Sequence, residues 1–265
     1  MHNPTIVQIR SLHRRKGRRE QGAFLVEGVR IVADAFASHA RFTHLIVGEY
    51  ALSAAGDMLV QQIEGAQPDV SILTVPVPLM HSLAETEAPQ GLIAVVQTEI
   101  HALPRFDAEH GLVLVLDGLR DPGNVGTLIR TAAAAGADAV MLAEGASDAY
   151  APKVVRAAMG AHFRIPVFAD QSWDAIRDAI APLPVLVGAD ATAETAYDAI
   201  DWNAGAALII GHEDHGLSAS ARAVCRGLAA IPMANGVESL NAAVSGAVVL
   251  FEARRRRRAA RDALT

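Results

Sequence analysis

Cysteine is nearly absent from this sequence. The one present, Cys225, can form neither an intramolecular disulfide nor a thiolate metal cluster. That scarcity fits a reducing compartment, and a cytoplasmic protein is expected. Aromatic residues make up 5% of the chain against 51% hydrophobic residues overall. The apolar share is ample for packed cores and argues against disorder, so the aromatic shortfall carries no functional weight. No apolar run reaches the ~18–20 residues that span a bilayer, so no membrane partner is expected. The start, MHNPTIVQIR, has no apolar h-region, and no signal peptide is expected. Two motifs are also missing. No Gly-x-Gly-x-x-Gly follows the first strand of the second domain, which disfavours a nicotinamide dehydrogenase. No His-Glu-x-x-His is present, so His212 and His215 beside Glu213 and Asp214 are not expected to hold a metal.

Basic residues are scarce through the body of the chain, but not at its ends. The formal net charge is −6. Six cations fall between positions 10 and 19, and six more at 254–258 and 261, which is 12 of the 23 Lys and Arg. The stretch 21–252 holds 11 cations against 27 acids, a net −16. Two basic segments therefore flank an acidic body, and such segments can grip phosphates. Arg14, Arg15, Arg18 and Arg19 lie three to four residues apart and would gather on one side of a helix. They are expected to hold RNA. For the C-terminal run, phosphate binding and a merely solvated helix end stay open.

Strand and helix patterns alternate through 20–100, with strands at 24–26, 44–47, 71–75 and 92–97 and helices at 29–36 and 58–63. A polar, proline-containing stretch, TEIHALPRFDAEH, follows. The expected organisation is a small N-terminal α/β domain over 1–100, a linker over 101–110 and a C-terminal domain over 111–265. The second domain opens on the unbroken apolar strand 112–116, of the buried parallel type. A helix over 124–135 follows, with Gly136 at its C-cap. Further strands are expected at 139–142, 165–168, 185–187, 207–210 and 228–231, and a final helix from 240 to beyond 252. This alternation predicts an α/β fold with a parallel sheet, whose ligands bind beyond the carboxyl ends of the strands.

Three unusual loops fall at those ends. The first, DGLRDPGNVGTLIR from Asp117, turns tightly at Asp121-Pro122-Gly123 and offers Asn124 as a helix N-cap. Arg130 falls two turns later in an apolar stretch, so a buried cation with a partner is expected. The second, IIGHEDHGLS, leaves a strand through Gly211 and Gly216 and caps a helix with Ser218. The third, IPMANGVESLN, runs from Ile231 to Ser239 and Asn241 at the start of the last helix, where polar residues also serve as simple caps.

These loops, as DPGNVGTLIRTAAAAG, IIGHEDHGLS and IPMANGVESLNAAVSGAVVLFE in that order, resemble the three signature motifs of the SpoU (TrmH-like) branch of the SPOUT RNA methyltransferases. KVVRAAMGAHFRIPV, between the first two, also resembles the family. The resemblance covers 111–253. It implies a parallel-sheet domain tied in a deep trefoil knot, a homodimer, and transfer of a methyl group from S-adenosylmethionine to a ribose 2′-hydroxyl of structured RNA. By the same resemblance, Gly211, Ile231 and Leu240 cradle the cofactor through their backbones, with Leu217 and Met233 nearby. Asn124, Arg130, Glu213, Ser239 and Asn241 match the family's functional positions. FLVEGVRIVADAF resembles the small RNA-binding domain of rRNA-modifying members, which favours rRNA. A tRNA-directed enzyme and an inactive RNA-binding relative are the alternatives. The second motif departs from the pattern at Asp214 and His215, where a small or neutral residue is usual after the glutamate.

A ribose hydroxyl is a very weak acid, so its methylation needs a base or strong stabilisation of the developing alkoxide. The resemblance points to Arg130. A guanidinium stays protonated below pH ~12, which suits it to hold an RNA phosphate and steady the alkoxide, not to act as a free base.

Overall fold

The computed structural model describes residues 3–50, 52–99 and 102–263. The chain divides into two compact units, Met1–Ile100 with Tyr150–Arg164 and His101–Ala149 with Ile165–Thr265.

In the first unit, β1 (Ala23–Glu27), β2 (Phe42–Gly48), β3 (Ser71–Val75) and β4 (Leu92–Gln97) form a mixed sheet of order β1-β4-β2-β3. β4 runs antiparallel to both β1 and β2, and β3 parallel to β2. Helices α1 (Pro4–Ser11), α2 (Arg15–Gln21), α3 (Val29–Ala37), α4 (Ala54–Ala66) and α5 (Val77–Leu83) accompany it. Side chains alternate across a strand, and β1 buries both faces. Phe24 and Val26 enter one core with Val32 and Leu45, while Ala23 and Leu25 enter another with Ile6, Ile9 and Met80. Helices α1 and α5, eight and seven residues long, fall where the sequence pattern offered no element. Both begin with a proline in the first turn, where its missing N–H costs nothing.

The second unit contains β5 (Leu112–Leu116), α6 (Pro122–Ala135), β6 (Ala139–Ala143), β7 (Val167–Gln171), α8 (Trp173–Ile180), β8 (Val185–Ala189), β9 (Ala206–Ile210), α9 (Ala219–Val224), β10 (Gly227–Ala229) and α10 (Ala242–Asp262). Its six strands are all parallel, in the order β10-β8-β9-β5-β6-β7. β5 is buried along its whole length, as its unbroken apolar run requires. Helix α10 packs along α6 because Gly246 has no side chain there. A Cβ at that position would stand 2.4 Å from Leu128 Cδ2.

Two expectations about the domain boundary are corrected. Helix α7 (Pro152–Ala158) and its flanks, assigned above to the second domain, pack on the first unit. Val155 joins the core around Phe24, Tyr150 lies 5.0 Å from the Phe24 ring, and Arg164 pairs with Asp34 at 2.8 Å. Nothing in the local pattern marks these side chains as belonging to a distant sheet. The stretch read as a linker is also not loose where it is described. Phe106 is buried in the second unit's core, and the Gly111 N–H donates to the Asp107 carbonyl. Residues 100 and 101 lie outside the described residues.

The basic segments are corrected as well. Arg18 is buried, and its guanidinium donates to the Leu12 carbonyl at 2.6 Å. It closes the junction of α1 and α2, so Arg14, Arg15, Arg18 and Arg19 do not form one exposed row. Arg14, Arg15 and Arg19 are exposed. In the C-terminal run Arg256 and Arg257 are half-buried, Arg254, Arg255, Arg258 and Arg261 are exposed, and several of them are tied to partners in the second unit. Arg254 donates to the Ala134 carbonyl at the end of α6. Arg255 and Arg256 both bind Glu252 at 2.7 Å, and their hydrogen bonds overcome its partial burial to hold its carboxyl at about 2. Arg257 reaches four backbone carbonyls, those of Trp202 at 2.8 Å, Ala204 at 2.7 Å, Gly111 at 3.1 Å, and His110. Burial pulls its pKa below the ordinary arginine value.

Arg257 is a clasp between α10 and the loops that feed β5 and β9. Charged hydrogen bonds contribute about 1.5–3 kcal/mol each and are not additive. Arg257→Ala should therefore lower the unfolding free energy by about 2–4 kcal/mol in a urea titration. Arg257→Lys should recover only part of this, because one ammonium cannot span four carbonyls. Wild-type stability in the alanine variant would show that the clasp holds nothing.

Candidate active site

The three loops converge at the carboxyl ends of β5, β9 and β10. The first is anchored by Asp117, which is buried and accepts both the Ser218 N–H at 2.6 Å and the Ser218 hydroxyl at 3.0 Å. Ser218 also caps α9, so one carboxylate ties loop one to loop two. The N-cap of α6 is Asp121, not Asn124 as expected, and its side chain accepts the Asn124 N–H at 2.8 Å. That frees the Asn124 amide for another task.

Asn124 Nδ2 donates to Glu213 Oε1 at 3.1 Å, and Asn241 Nδ2 donates to Asn124 Oδ1 at 3.0 Å. Asn241 Oδ1 accepts the N–H groups of Ala243 and Val244, capping α10. The order is forced from one end. An ionised carboxylate only accepts, so Asn124 must turn its NH2 toward Glu213 and its oxygen toward Asn241. Glu213 also accepts the Asp121 N–H at 3.2 Å and the Arg120 N–H at 3.4 Å. Partial burial pushes its carboxyl up. The hydrogen bonds from its own N–H, Asn124, Asp121 and Arg120 outweigh that and leave its pKa below the usual glutamate range. Glu213 is thus an anionic tie and a poor proton acceptor.

Between the second and third loops and the segment after β8 is a cavity of about 660 Å³, within the range that takes a drug-sized ligand. Of the residues expected to act on or hold the cofactor, Gly211, Glu213, Ile231, Met233, Ser239, Leu240 and Asn241 line it. Loop two closes over the cavity only because residue 211 is glycine. A Cβ there would meet the Gly216 backbone at 2.3 Å. Leu217, expected near the cofactor, has its side chain in the core with Val113 and Ile209, while its backbone lies against Gly211 of the cavity wall. Asn124 reaches the site through its hydrogen bonds without lining the cavity. Arg130 does not line it either. It is exposed on the outer side of α6, not buried in an apolar element, because only the opposite face of that helix packs inward. It has no hydrogen bond or ion pair among the described residues.

Three lining residues were not singled out from the sequence. Asp190, at the end of β8, accepts from the Thr192 hydroxyl and N–H and pairs with Arg222 at 2.5 Å. The Thr192 hydrogen bonds, with Arg222, hold its pKa below the ordinary aspartate value. The position of Asp190 and Thr192 after β8 hinted at those two, and nothing in the local pattern marked Arg222 in α9. Among the described residues, no three His, Cys, Asp or Glu side chains converge as metal ligands.

An open parallel sheet with a polar-edged cavity at its carboxyl ends defines an α/β protein built to bind one small organic ligand under its loops. The chain belongs to the SpoU rRNA methylase family, whose model matches residues 111–251. Residues 3–94 match the MRM3-like substrate binding domain. The chain is 34% identical to the 23S rRNA (uridine(2479)-2′-O)-methyltransferase of Streptomyces viridochromogenes, over 96% of this chain and 90% of that protein. It is 31% identical to the 23S rRNA (guanosine(2553)-2′-O)-methyltransferase RlmP of Bacillus subtilis, over 95% and 96%. The crystal structure of the SpoU methyltransferase AviRb from Streptomyces viridochromogenes in complex with the cofactor AdoMet aligns with a TM-score of 0.89. The identity is 32%, over 97% of this chain and 98% of that one.

The amide chain makes a thermodynamic claim. In a double-mutant cycle, Asn124→Ala and Asn241→Ala should couple by about 0.5–3 kcal/mol of unfolding free energy, as contacting residues in one network do. Strict additivity would show that this bond does not tie the loops.

Proposed function

We propose that this protein transfers the methyl group of S-adenosylmethionine to a ribose 2′-hydroxyl of ribosomal RNA. The observation that carries the reading is the cavity between the second and third loops in a chain of the SpoU family, whose relatives named above are 23S rRNA 2′-O-methyltransferases. The lining suits the cofactor. Ile210, Ile231, Leu240 and Val249 offer an apolar wall, while Asp190, Glu213 and Asp214 give the lining a carboxylate content that suits a ligand carrying a sulfonium and an ammonium. When bound, the cofactor supplies an activated methyl and a neutral thioether leaving group, so the protein must align and exclude water.

Geometry and the family resemblance together support the following roles for the chain's own residues. Glu213, Asn124 and Asn241 hold the three loops in register and are positioning residues. Ser239 stands beside Asn241 at the cavity with no hydrogen bond among the described residues, and can orient the acceptor hydroxyl. Arg130 is a cation with no internal partner, suited to hold the RNA phosphate and stabilise developing alkoxide charge. The first unit would carry RNA through Arg14, Arg15 and Arg19.

Two features of the family's architecture are part of this reading. The chain leaves edge strand β10, passes the carboxyl ends of β8 and β9, and delivers Asn241 to Asn124 after β5. That path supports the deep trefoil knot. The homodimer is supported by α10, where Val244 and Phe251 are 49% and 48% exposed at a seven-residue spacing on one side of the helix. Because Arg130 lies away from its own cavity, we assign it to the cavity of a second copy.

Ribose-protection mapping on rRNA incubated with protein and cofactor should reveal one newly resistant 2′ position. Methylation of a base, or of tRNA alone, would overturn the assignment. Arg130→Ala should abolish transfer while leaving cofactor affinity within a few-fold by calorimetry, since the cavity is intact. Near-normal turnover would remove Arg130 from the mechanism.

The dimer assignment has its own check. Arg130→Ala and Asn241→Ala chains, each inactive alone, should regain activity when mixed and refolded together. One site of the mixed dimer then has an intact cavity and an intact arginine. A mixture as inactive as its parts would place Arg130 in its own chain's site.

A further inference from the structure

His212 and His215 are the only ring systems among the described residues that line the cavity, which has no Phe, Tyr or Trp. Their imidazoles stack, with centroids 4.7 Å apart and planes within 21° of parallel. The pair is held in place by its loop. The His212 N–H donates to the Gly216 carbonyl and the Gly216 N–H to the His212 carbonyl, each at 2.9 Å, which pinches 212–216 into a tight hairpin. His212 Nδ1 accepts the Asp214 N–H at 3.0 Å, fixing that ring's orientation. The inner ring is therefore immobilised by the backbone. The outer ring, His215, is exposed and has no hydrogen bond or ion pair among the described residues. It presents a flat, backed surface at the edge of the cavity, beside Glu213.

We propose that His215, backed by His212, is the platform on which the base of the acceptor nucleotide stacks. The inference rests on the rRNA 2′-O-methyltransferase reading and adds a residue that determines substrate binding. The reacting oxygen is on C2′ of the ribose and the base is on the adjacent C1′. A base must therefore lie within one sugar's width of the point where the hydroxyl meets the cavity. The charge around the platform selects for a base over a phosphate. Glu213 and Asp214 flank the rings, and a second anion there would be repelled. A nucleobase carries no formal charge and offers a π face to any flat ring.

RNA affinity and turnover are read separately with an rRNA fragment that spans the mapped site. Stacking contributes about 1–3 kcal/mol per base, so His215→Ala should weaken RNA binding about 5- to 150-fold. Cofactor affinity should stay unchanged. His215→Phe should restore RNA binding, because any flat ring serves. His215→Asn, polar but without a ring, should not. RNA binding that stays at the wild-type level in both the alanine and asparagine variants would overturn the proposal. So would a loss of cofactor affinity with RNA binding intact, which would assign the rings to the cofactor's adenine. Binding titrations need no turnover. A wild-type protein that binds the fragment but leaves its ribose unmethylated would count against the function reading alone.

Discussion

The second unit hangs on one directional hydrogen-bond chain, from Asn241 through Asn124 to Glu213. A carboxylate can only accept, and that single asymmetry orients both amides. Glu213 gathers backbone N–H groups from the first loop, Asn124 relays the polarity, and Asn241 spends its oxygen on the N-terminus of α10. With Asp117 holding Ser218, three loops from three separate strands become one rigid rim. The cavity lies beside this rim, between the second and third loops, the end of β8 and the start of α10. Preorganisation of this kind matters for methyl transfer because the protein contributes alignment and the cofactor contributes the reactivity.

Much of this was legible in the sequence, for identifiable reasons. β3, β4 and β5 match their expected bounds because their apolar runs are short, branched and bounded by turn residues. Gly211, Glu213, Ile231 and Met233 reach the cavity because they sit just past strands β9 and β10, where such folds place ligands, and Ser239, Leu240 and Asn241 because they open the helix that the third loop leads into. The misses are also physical. Asn124 looked like an N-cap because Asn and Asp cap equally well, and only the geometry decides that Asp121 takes the role. Arg130 looked buried among alanines, but a helix with one packed face leaves the other to solvent. Arg18 and Arg257 show the converse. A run of arginines reads as a solvated or phosphate-binding segment until backbone carbonyls in need of donors are found beside it, and no linear pattern reveals those. Likewise, the membership of α7 in the first unit depends on Tyr150, Val155 and Phe163 meeting Phe24, more than a hundred residues away.

The charge distribution takes on a different meaning once these partners are known. In the C-terminal basic end, Arg254 to Arg257 serve backbone carbonyls and Glu252, while Arg258 and Arg261 stay exposed. The exposed cations Arg14, Arg15 and Arg19 then stand out against an acidic body. An acidic surface repels RNA over most of its area, so the few basic places determine where a polyanion can come to rest.

The distance in sequence between partners in the rim sets when this protein can work. The loop that begins at Asp117 cannot be locked until Asn241 exists, and the clasp on the loop before β5 waits for Arg257. A chain emerging from the ribosome can pair its early strands, but it must hold an unlocked rim until its last helix has been made. Such long-range closure is slow to nucleate. The ligand cavity is therefore among the last features to form during synthesis, and a chain interrupted before its final helix would have most of its sheet and no site.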